Sequence, residues 1–264
     1  MHPLSYLQRV WRSLRRPDNG PEARRAFDIS PTDDYSDDIL GYYDLIFPGR
    51  AEATITPDEP DGVPAVSFRF LRGNESQPFH VVHTIGMSRP LLTLKALRPR
   101  SYDPGYDRSL VRHARAELMA FLPYDYPVPV RNAGNFDGIP EARRWPLQLM
   151  KHLTELPHRH STWVGPGFLS STESYVPYSD ETKFCGYTLV NFEGNLGYIP
   201  LQDAPEIAIY TFVPLYKDEI LYEQVHGPEK LMERVLHVSA GSFVINVDRP
   251  PAVEPWEYTG AEEE

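Results

Sequence analysis

The sequence predicts a single α+β domain, in which a mixed β-sheet is covered by packed helices. Apolar and polar residues alternate around Val66, Phe68 and Phe70, which is the period of a half-buried strand. The segment that begins at Trp145 and Pro146 has apolar residues at helical spacing, and proline is favoured at the first helical position. Strand and helix signals interleave without a regular βαβ repeat, so a doubly wound parallel sheet is not expected.

Composition divides the chain into three parts. Residues 1–30 predict a basic amphipathic helix followed by a polar linker, and residues 31–248 predict the folded domain. Residues 249–264 predict an acidic, solvated tail without fixed structure. The N-terminal helix is compatible with docking on the domain, on a partner or on a membrane surface.

Within the domain, propensity and turn residues predict helices and strands in a definite order. The second and third strands are close enough to form a hairpin, and Pro157 is expected to end the helix that starts at Trp145. The predicted elements are a helix at 39–47, strands at 51–56, 66–71, 79–85 and 117–122, a helix at 145–156, strands at 184–190 and 207–213, helices at 215–225 and 228–237, and a strand at 243–247.

Composition also restricts the class of function. The 264-residue chain carries a formal net charge of −11 and one cysteine. Nucleic acid is a poor match as a partner, because phosphate contacts need clustered lysine and arginine. One cysteine cannot form an internal disulfide, which favours a reducing cytoplasm. The sequence has no run of about 18 apolar residues, so no integral membrane segment is expected.

Five blocks of the domain resemble the suppressor of fused family in their order and spacing. They read HVVHTIGMS from His80, AELMAFLPYDY from Ala116, WPLQLMKHL from Trp145, FVPLYKDE from Phe212 and HGPEKLMERV from His226. The blocks carry no nucleophile, metal-ligand set or phosphate loop. The resemblance covers residues 61–238 and implies a suppressor of fused fold with a protein-binding role.

The resemblance implies two kinds of binder. The animal suppressor of fused restrains a transcription factor by binding it, and bacterial members resemble immunity proteins that neutralise polymorphic toxins. This chain lacks room for the second, C-terminal lobe of the animal protein, so the bacterial single-domain group is the better match. The expected function is a non-catalytic immunity protein for a basic toxin domain. The alternatives are a regulatory or scaffold protein without a toxin partner, and a hydrolase or metal-dependent enzyme.

Histidines provide the strongest candidates for a metal site, but their spacing does not favour one. His80 and His83 lie on one predicted strand and therefore point to opposite faces. Zinc binding would require them to meet His158 and His160, and the sequence has no helical H-E-x-x-H. We therefore expect no metal and no cofactor.

Acidic residues and the cysteine have simple structural interpretations. Glu117 is expected to face solvent, although its pKa would rise, as in a general acid, if it faced the core. Glu219 and Glu223 lie four apart on one helix and are expected on a solvated face. Cys185 lies in a strand and is expected to be a buried core thiol.

Tyrosines in predicted loops are the candidates for partner binding, because tyrosine offers rigid contact area with a polar tip. Two loops, residues 98–108 and 123–138, combine tyrosine with aspartate and flank one predicted strand. The residues predicted to bind a partner are Tyr102, Asp103, Tyr106, Asp107, Tyr124, Asp125 and Tyr126.

Overall fold

The computed structural model describes residues 34–58, 63–89, 113, 115–129, 135–160, 164–192, 194–202, 204 and 206–259. These residues form α-helices at Ser36–Ile46 (α1), Trp145–His160 (α2), Lys217–His226 (α3), Pro228–Val238 (α4) and Trp256–Thr259 (α5). The strands are Ala51–Ile55 (β1), Ser67–Leu71 (β2), Phe79–Ile85 (β3), Ala116–Pro123 (β4), Leu169–Ser171 (β5), Gly186–Asn191 (β6), Tyr198–Ile199 (β7) and Ile207–Leu215 (β8). The predicted N-terminal helix lies outside the described residues.

All of these strands belong to one mixed sheet, in the order β1-β2-β3-β4-β8-β6-β5, with β7 paired to β8. The first four strands are antiparallel neighbours, and the predicted hairpin of β2 and β3 is confirmed. Strand β4 pairs with β8 in parallel, and β8 then pairs with β6 in the antiparallel sense. The mixed sheet with its packed helices confirms the predicted α+β class.

Strand β8 is buried along its whole length because both faces of the sheet are covered. Tyr210 and Phe212 pack in a cluster with Leu147 and Met150 of α2. Ile209 points the other way and packs in a cluster with Tyr43 of α1. Each fully buried side chain of this size contributes roughly 1.5–3 kcal/mol of transfer free energy, so β8 anchors both layers.

Two of the predictions are wrong: the end of the helix that starts at Trp145 and the strand at 243–247. Helix α2 continues through Pro157 to His160. A proline removes one backbone donor from a helix, and Pro157 lies in the last turns, where few hydrogen bonds follow it. The predicted strand at 243–247 is reduced to one bridge between Val244 and Phe121 of β4. The pairing of β8 with β4 ends at Thr211, and β8 continues along β6. The Phe121 carbonyl of β4 instead accepts a hydrogen bond from the Ile245 amide at 2.9 Å.

The expectation of a solvated C-terminal tail is wrong for the described residues after Asp248. The Arg249 side chain is 5 % exposed, and Ala252 and Val253 are buried beside α3 and α4. The physical reason lies in Glu219, whose buried carboxylate requires a cation and donors that the chain after Asp248 supplies.

The expectation of a solvated face for Glu219 and Glu223 is also wrong. Glu219 is fully buried, and Glu223 is 4 % exposed against the sheet. Thr188 of β6 donates its hydroxyl to Glu223 Oε1 at 2.9 Å, whereas Glu223 Oε2 has no hydrogen-bond partner among the described residues. Burial raises the pKa of the Glu223 carboxyl to about 7, and the Thr188 hydroxyl opposes this only in part.

Glu223→Gln is expected to stabilise the protein at pH 8 by about 1–2 kcal/mol. The pKa of about 7 in the folded chain lies above the ordinary 4.5, so the stability that protonation provides is fully present below pH 4.5 and is lost as the pH rises to 7. Glutamine keeps the shape and the acceptor for Thr188 without the charge. Urea unfolding at pH 5 and pH 8 measures the change, and an equal effect at both values would contradict the assignment.

A candidate partner-binding cleft

The seven predicted binding residues fall into two groups. Tyr102, Asp103, Tyr106 and Asp107 lie outside the described residues, in the part of the chain that precedes β4. Tyr124, Asp125 and Tyr126 form the turn that follows β4. The chain enters this strand at Ala116 and leaves it at Pro123, which places entry and exit roughly 25 Å apart for eight residues.

His80 contacts the turn after β4 through its imidazole ring. Its Nε2 donates to the Tyr124 carbonyl at 2.9 Å, and its Nδ1 accepts from the Gly73 amide at 3.0 Å, which fixes the neutral tautomer. The imidazole also stacks on the Tyr124 ring, with centroids 5.7 Å apart. Burial lowers the pKa of His80, in keeping with this neutral form. His80 therefore acts as a support for the turn.

The three residues of the turn differ in exposure. Tyr124 is 53 % exposed, and the Asp125 side chain is 73 % exposed. Tyr126 is only 6 % exposed, and its hydroxyl donates to the Arg143 carbonyl at 2.6 Å. Tyr124 and Asp125 can meet a partner, whereas Tyr126 fastens the turn to the residues before α2.

This turn forms one side of a cleft with a volume of about 600 Å³. The other sides come from the start of α2 and from residues 238–249, which begin at the last residue of α4. The described residues that line it are Pro78, Pro123, Tyr124, Asp125, Tyr126, Ala142, Arg143, Trp145, Pro146, Glu181, Val238, Ser239, Ala240, Ser242, Val244, Ile245, Asn246, Val247, Asp248 and Arg249. The size is that of sites for small ligands or short peptides, about 300–1,000 Å³.

The rim of the cleft is acidic. Asp125, Glu181 and Asp248 contribute carboxylates, and Arg143 reaches both Asp125 and Glu181 at 3.4 Å. The second guanidinium, that of Arg249, is already paired with the buried Glu219. Three carboxylates thus face one available guanidinium, and the cleft carries a negative excess.

Sequence reasoning missed the residues after α4. Ser239, Ala240 and Asp248 lie more than a hundred positions from Tyr124, and no local pattern connects them. The available signal is the sequence around Gly241, a turn in which Ala240 adopts a φ of +51° and Gly241 one of +78°. After that turn, Val244 pairs with Phe121 of β4, and residues 244–249 line the cleft.

Glu117 is the second polar centre, and its predicted solvent exposure is wrong. Its side chain is fully buried, and its Oε1 accepts hydrogen bonds from the amides of Gly86 and Ser88 at 3.0 Å each and from the Ser88 hydroxyl at 2.7 Å. The Thr84 hydroxyl donates to Oε2 at 2.6 Å. Burial raises the pKa of Glu117, and these four donors oppose the rise. The carboxyl group therefore closes the turn after β3.

The other candidate catalytic groups are also enclosed. His83 is fully buried, and its ring stacks on Tyr43 with centroids 3.6 Å apart. Cys185 is a buried free thiol, as expected, and burial raises its pKa. His80 and His83 lie on opposite faces of β3, as predicted, since His83 meets α1 and His80 the turn after β4. The side chains of His158 and His160 lie outside the described residues.

The described part of the chain has neither a metal-ligand group nor a membrane-spanning helix. Within it, no three histidine, cysteine, aspartate or glutamate side chains are grouped so that they could hold a metal ion. None of its helices combines the length and the apolar character needed to cross a membrane.

A family model described as suppressor of fused protein (SUFU) matches residues 59–250, more than half of the 264-residue chain. The chain belongs to the suppressor of fused family. This confirms the resemblance drawn from the five sequence blocks. No curated protein sequence matches the chain.

Solved structures show the same suppressor of fused fold. A SUFU homologue of Neisseria gonorrhoeae FA 1090 is similar with a TM-score of 0.56 at 10% identity, over 83% of this chain and 97% of that one. A chain of the Sufu–Fu complex has a TM-score of 0.56 at 13% identity, over 88% and 96%. Drosophila Suppressor of Fused has a TM-score of 0.50 at 14% identity, over 86% of this chain and 51% of its own length.

Proposed function

We propose that this protein is a non-catalytic binding module that restrains a protein partner by covering part of its surface. The observation that carries the proposal is the cleft beside Tyr124 and Asp125, an exposed aromatic and an exposed carboxylate at the mouth of an acidic groove. The burial of Glu117, His83 and Cys185 supports a binding role over a hydrolytic one, because a substrate does not reach them.

The partner that we propose is the basic toxin domain of a polymorphic toxin system, which would make this chain a bacterial, cytoplasmic immunity protein. Toxins that act on nucleic acid are often basic, since their substrate is polyanionic. A net charge of −11 and an acidic cleft complement such a surface and speed the encounter. The second candidate is a regulatory or scaffold role, favoured by a fold neighbour that was solved as the Sufu–Fu complex.

Co-expression with the protein encoded by the neighbouring gene distinguishes the two functions. If this chain is an immunity protein, the neighbour arrests growth when expressed alone, and co-expression restores growth. Tyr124→Ala is expected to weaken the complex by about 2 kcal/mol, roughly 30-fold in Kd, as for an aromatic hot spot. Asp125→Asn is expected to slow association and to reduce its dependence on salt.

Leu45→Ala provides the matched control, because Leu45 is 76 % exposed on α1, a helix that contributes no residue to the lining of the cleft. This variant is expected to protect cells as the unaltered protein does. A neighbour that is harmless alone but binds this chain would favour the regulatory role. Protection that survives in Tyr124→Ala with an unchanged Kd would contradict the proposed binding surface.

A further inference from the structure

The lining of the cleft is mostly apolar, although its rim is charged. Proline, tryptophan and valine side chains, among them Pro123, Trp145 and Val244, form the walls. A ligand that fills this space needs an apolar stem, and one that also uses the rim needs a positive end. Lysine and arginine side chains combine these two properties, since their methylene stems lie on apolar surface while the charged group stays at the edge.

Asp248 is the carboxylate best placed to receive such a charge. Two hydrogen bonds fix the backbone at this position. The Asp248 amide donates to Asn246 Oδ1 at 3.0 Å, and the Arg249 amide donates to the Asn246 carbonyl at 3.2 Å. The Asp248 carboxylate has no ion-pair partner among the described residues. The adjacent guanidinium of Arg249 is held by Glu219 in two hydrogen bonds of 2.5 and 2.7 Å.

The other rim carboxylates are only weakly neutralised. Arg143 contacts Asp125 and Glu181 at 3.4 Å in each case, and its side chain is 40 % exposed. Exposed pairs of this length contribute about 0–1 kcal/mol, so an incoming cation competes with Arg143 at little cost. The unbalanced charges of the rim repel anions and attract cations.

We propose that the cleft binds a short segment of the partner that presents an arginine or lysine side chain to Asp248. This inference rests on the proposed function, because it takes the occupant to be part of a protein. The charge complementarity of the rim selects the cation, and the apolar walls select the neighbouring residues of the segment. A neutral or acidic segment leaves the rim carboxylates without a counter-charge.

Nuclear magnetic resonance on the ¹⁵N-labelled full chain tests the inference with two capped tripeptides. One is leucine-arginine-leucine, and the other carries citrulline, which has the shape of arginine without its charge. The arginine peptide is expected to shift the amides of Tyr124, Ala240 and Val247 and to bind at least about fivefold more tightly than the citrulline peptide. Equal affinity for both peptides, or shifts confined to another surface, would overturn the inference.

Variants assign the charge preference to one residue. Asp248→Asn is expected to reduce the affinity for the arginine peptide to that for the citrulline peptide. Asp37→Asn makes the same charge change on an exposed residue of α1 and is expected to leave the fivefold preference intact. A preference that persists in Asp248→Asn would overturn the assignment of the cation to Asp248, and one that disappears in Asp37→Asn would show that the general negative field selects the cation.

The inference and the proposed function can fail separately. If the arginine peptide binds as expected but the neighbouring protein is neither toxic nor bound, the toxin partner is wrong and the cation site stands. If the neighbour is neutralised equally well by Asp248→Asn and neither peptide binds in the cleft, the binding function stands and the cation site is wrong.

Discussion

Replacing Arg249 by methionine is expected to lower the free energy of unfolding by about 3–5 kcal/mol. The Arg249 guanidinium donates to both oxygens of Glu219 at 2.5 and 2.7 Å, and the two side chains are 5 % and 0 % exposed. Glu219 also accepts from the amides of Tyr216 and Ala252 at 2.9 and 2.8 Å. Without the cation, the Glu219 carboxylate stays buried with backbone donors alone. An uncompensated buried charge of this kind strongly destabilises the folded state.

Arg72→Met is the matched control, because Arg72 pairs with Glu52 at 3.6 Å with side chains 60 % and 40 % exposed. Its loss is expected to change stability by less than about 1 kcal/mol. Urea unfolding of the two variants measures the contrast. Equal effects would mean that the segment after Asp248 is not part of the folded domain.

His83→Phe is expected to protect the protein against acid. The change that it causes in the free energy of unfolding should be about 3 kcal/mol more favourable at pH 4 than at pH 7. Burial against Tyr43 lowers the pKa of His83 from 6.5 to about 3. As the pH falls below 6.5, the unfolded chain therefore takes up a proton that the folded chain does not, and stability is lost down to pH 3. Phenylalanine keeps a ring on Tyr43 and removes the titration.

The comparison between two pH values within one variant cancels any packing change at position 83. The His83 Nε2 atom has no hydrogen-bond partner among the described residues, whereas Nδ1 lies 3.1 Å from the Thr84 carbonyl, a contact that phenylalanine removes at both pH values. Unfolding curves at pH 7 and pH 4 give the measurement. A His83→Phe profile parallel to that of the unaltered protein would show that another group controls acid unfolding.

The sequence predicted the strands well where alternation and turn residues agree. Strand β3 has its predicted bounds, and β2 and β3 form the predicted hairpin. These features are local, because a strand signal and its turn lie within about ten residues. The five blocks that resemble suppressor of fused also lie within single elements or at their ends.

Burial of the carboxylates could not be predicted in the same way. Glu117 depends on Thr84, Gly86 and Ser88, about thirty positions earlier, and Glu219 depends on Arg249, thirty positions later. Each carboxylate alone resembles a solvated residue, because its donors become visible only when the sheet is assembled. The same limit hid Asp248 from the candidate site, since only the turn around Gly241 returns the chain to Tyr124.

Photo-crosslinking in the native cell shows whether a protein partner occupies the cleft. Benzoylphenylalanine placed at Tyr124, 53 % exposed at the cleft, is compared with the same group at Leu45, 76 % exposed on α1. We expect one discrete crosslinked protein from position 124, lost when Asp248→Asn is added, and none from position 45. A crosslinked partner from position 45 with none from position 124 would contradict it.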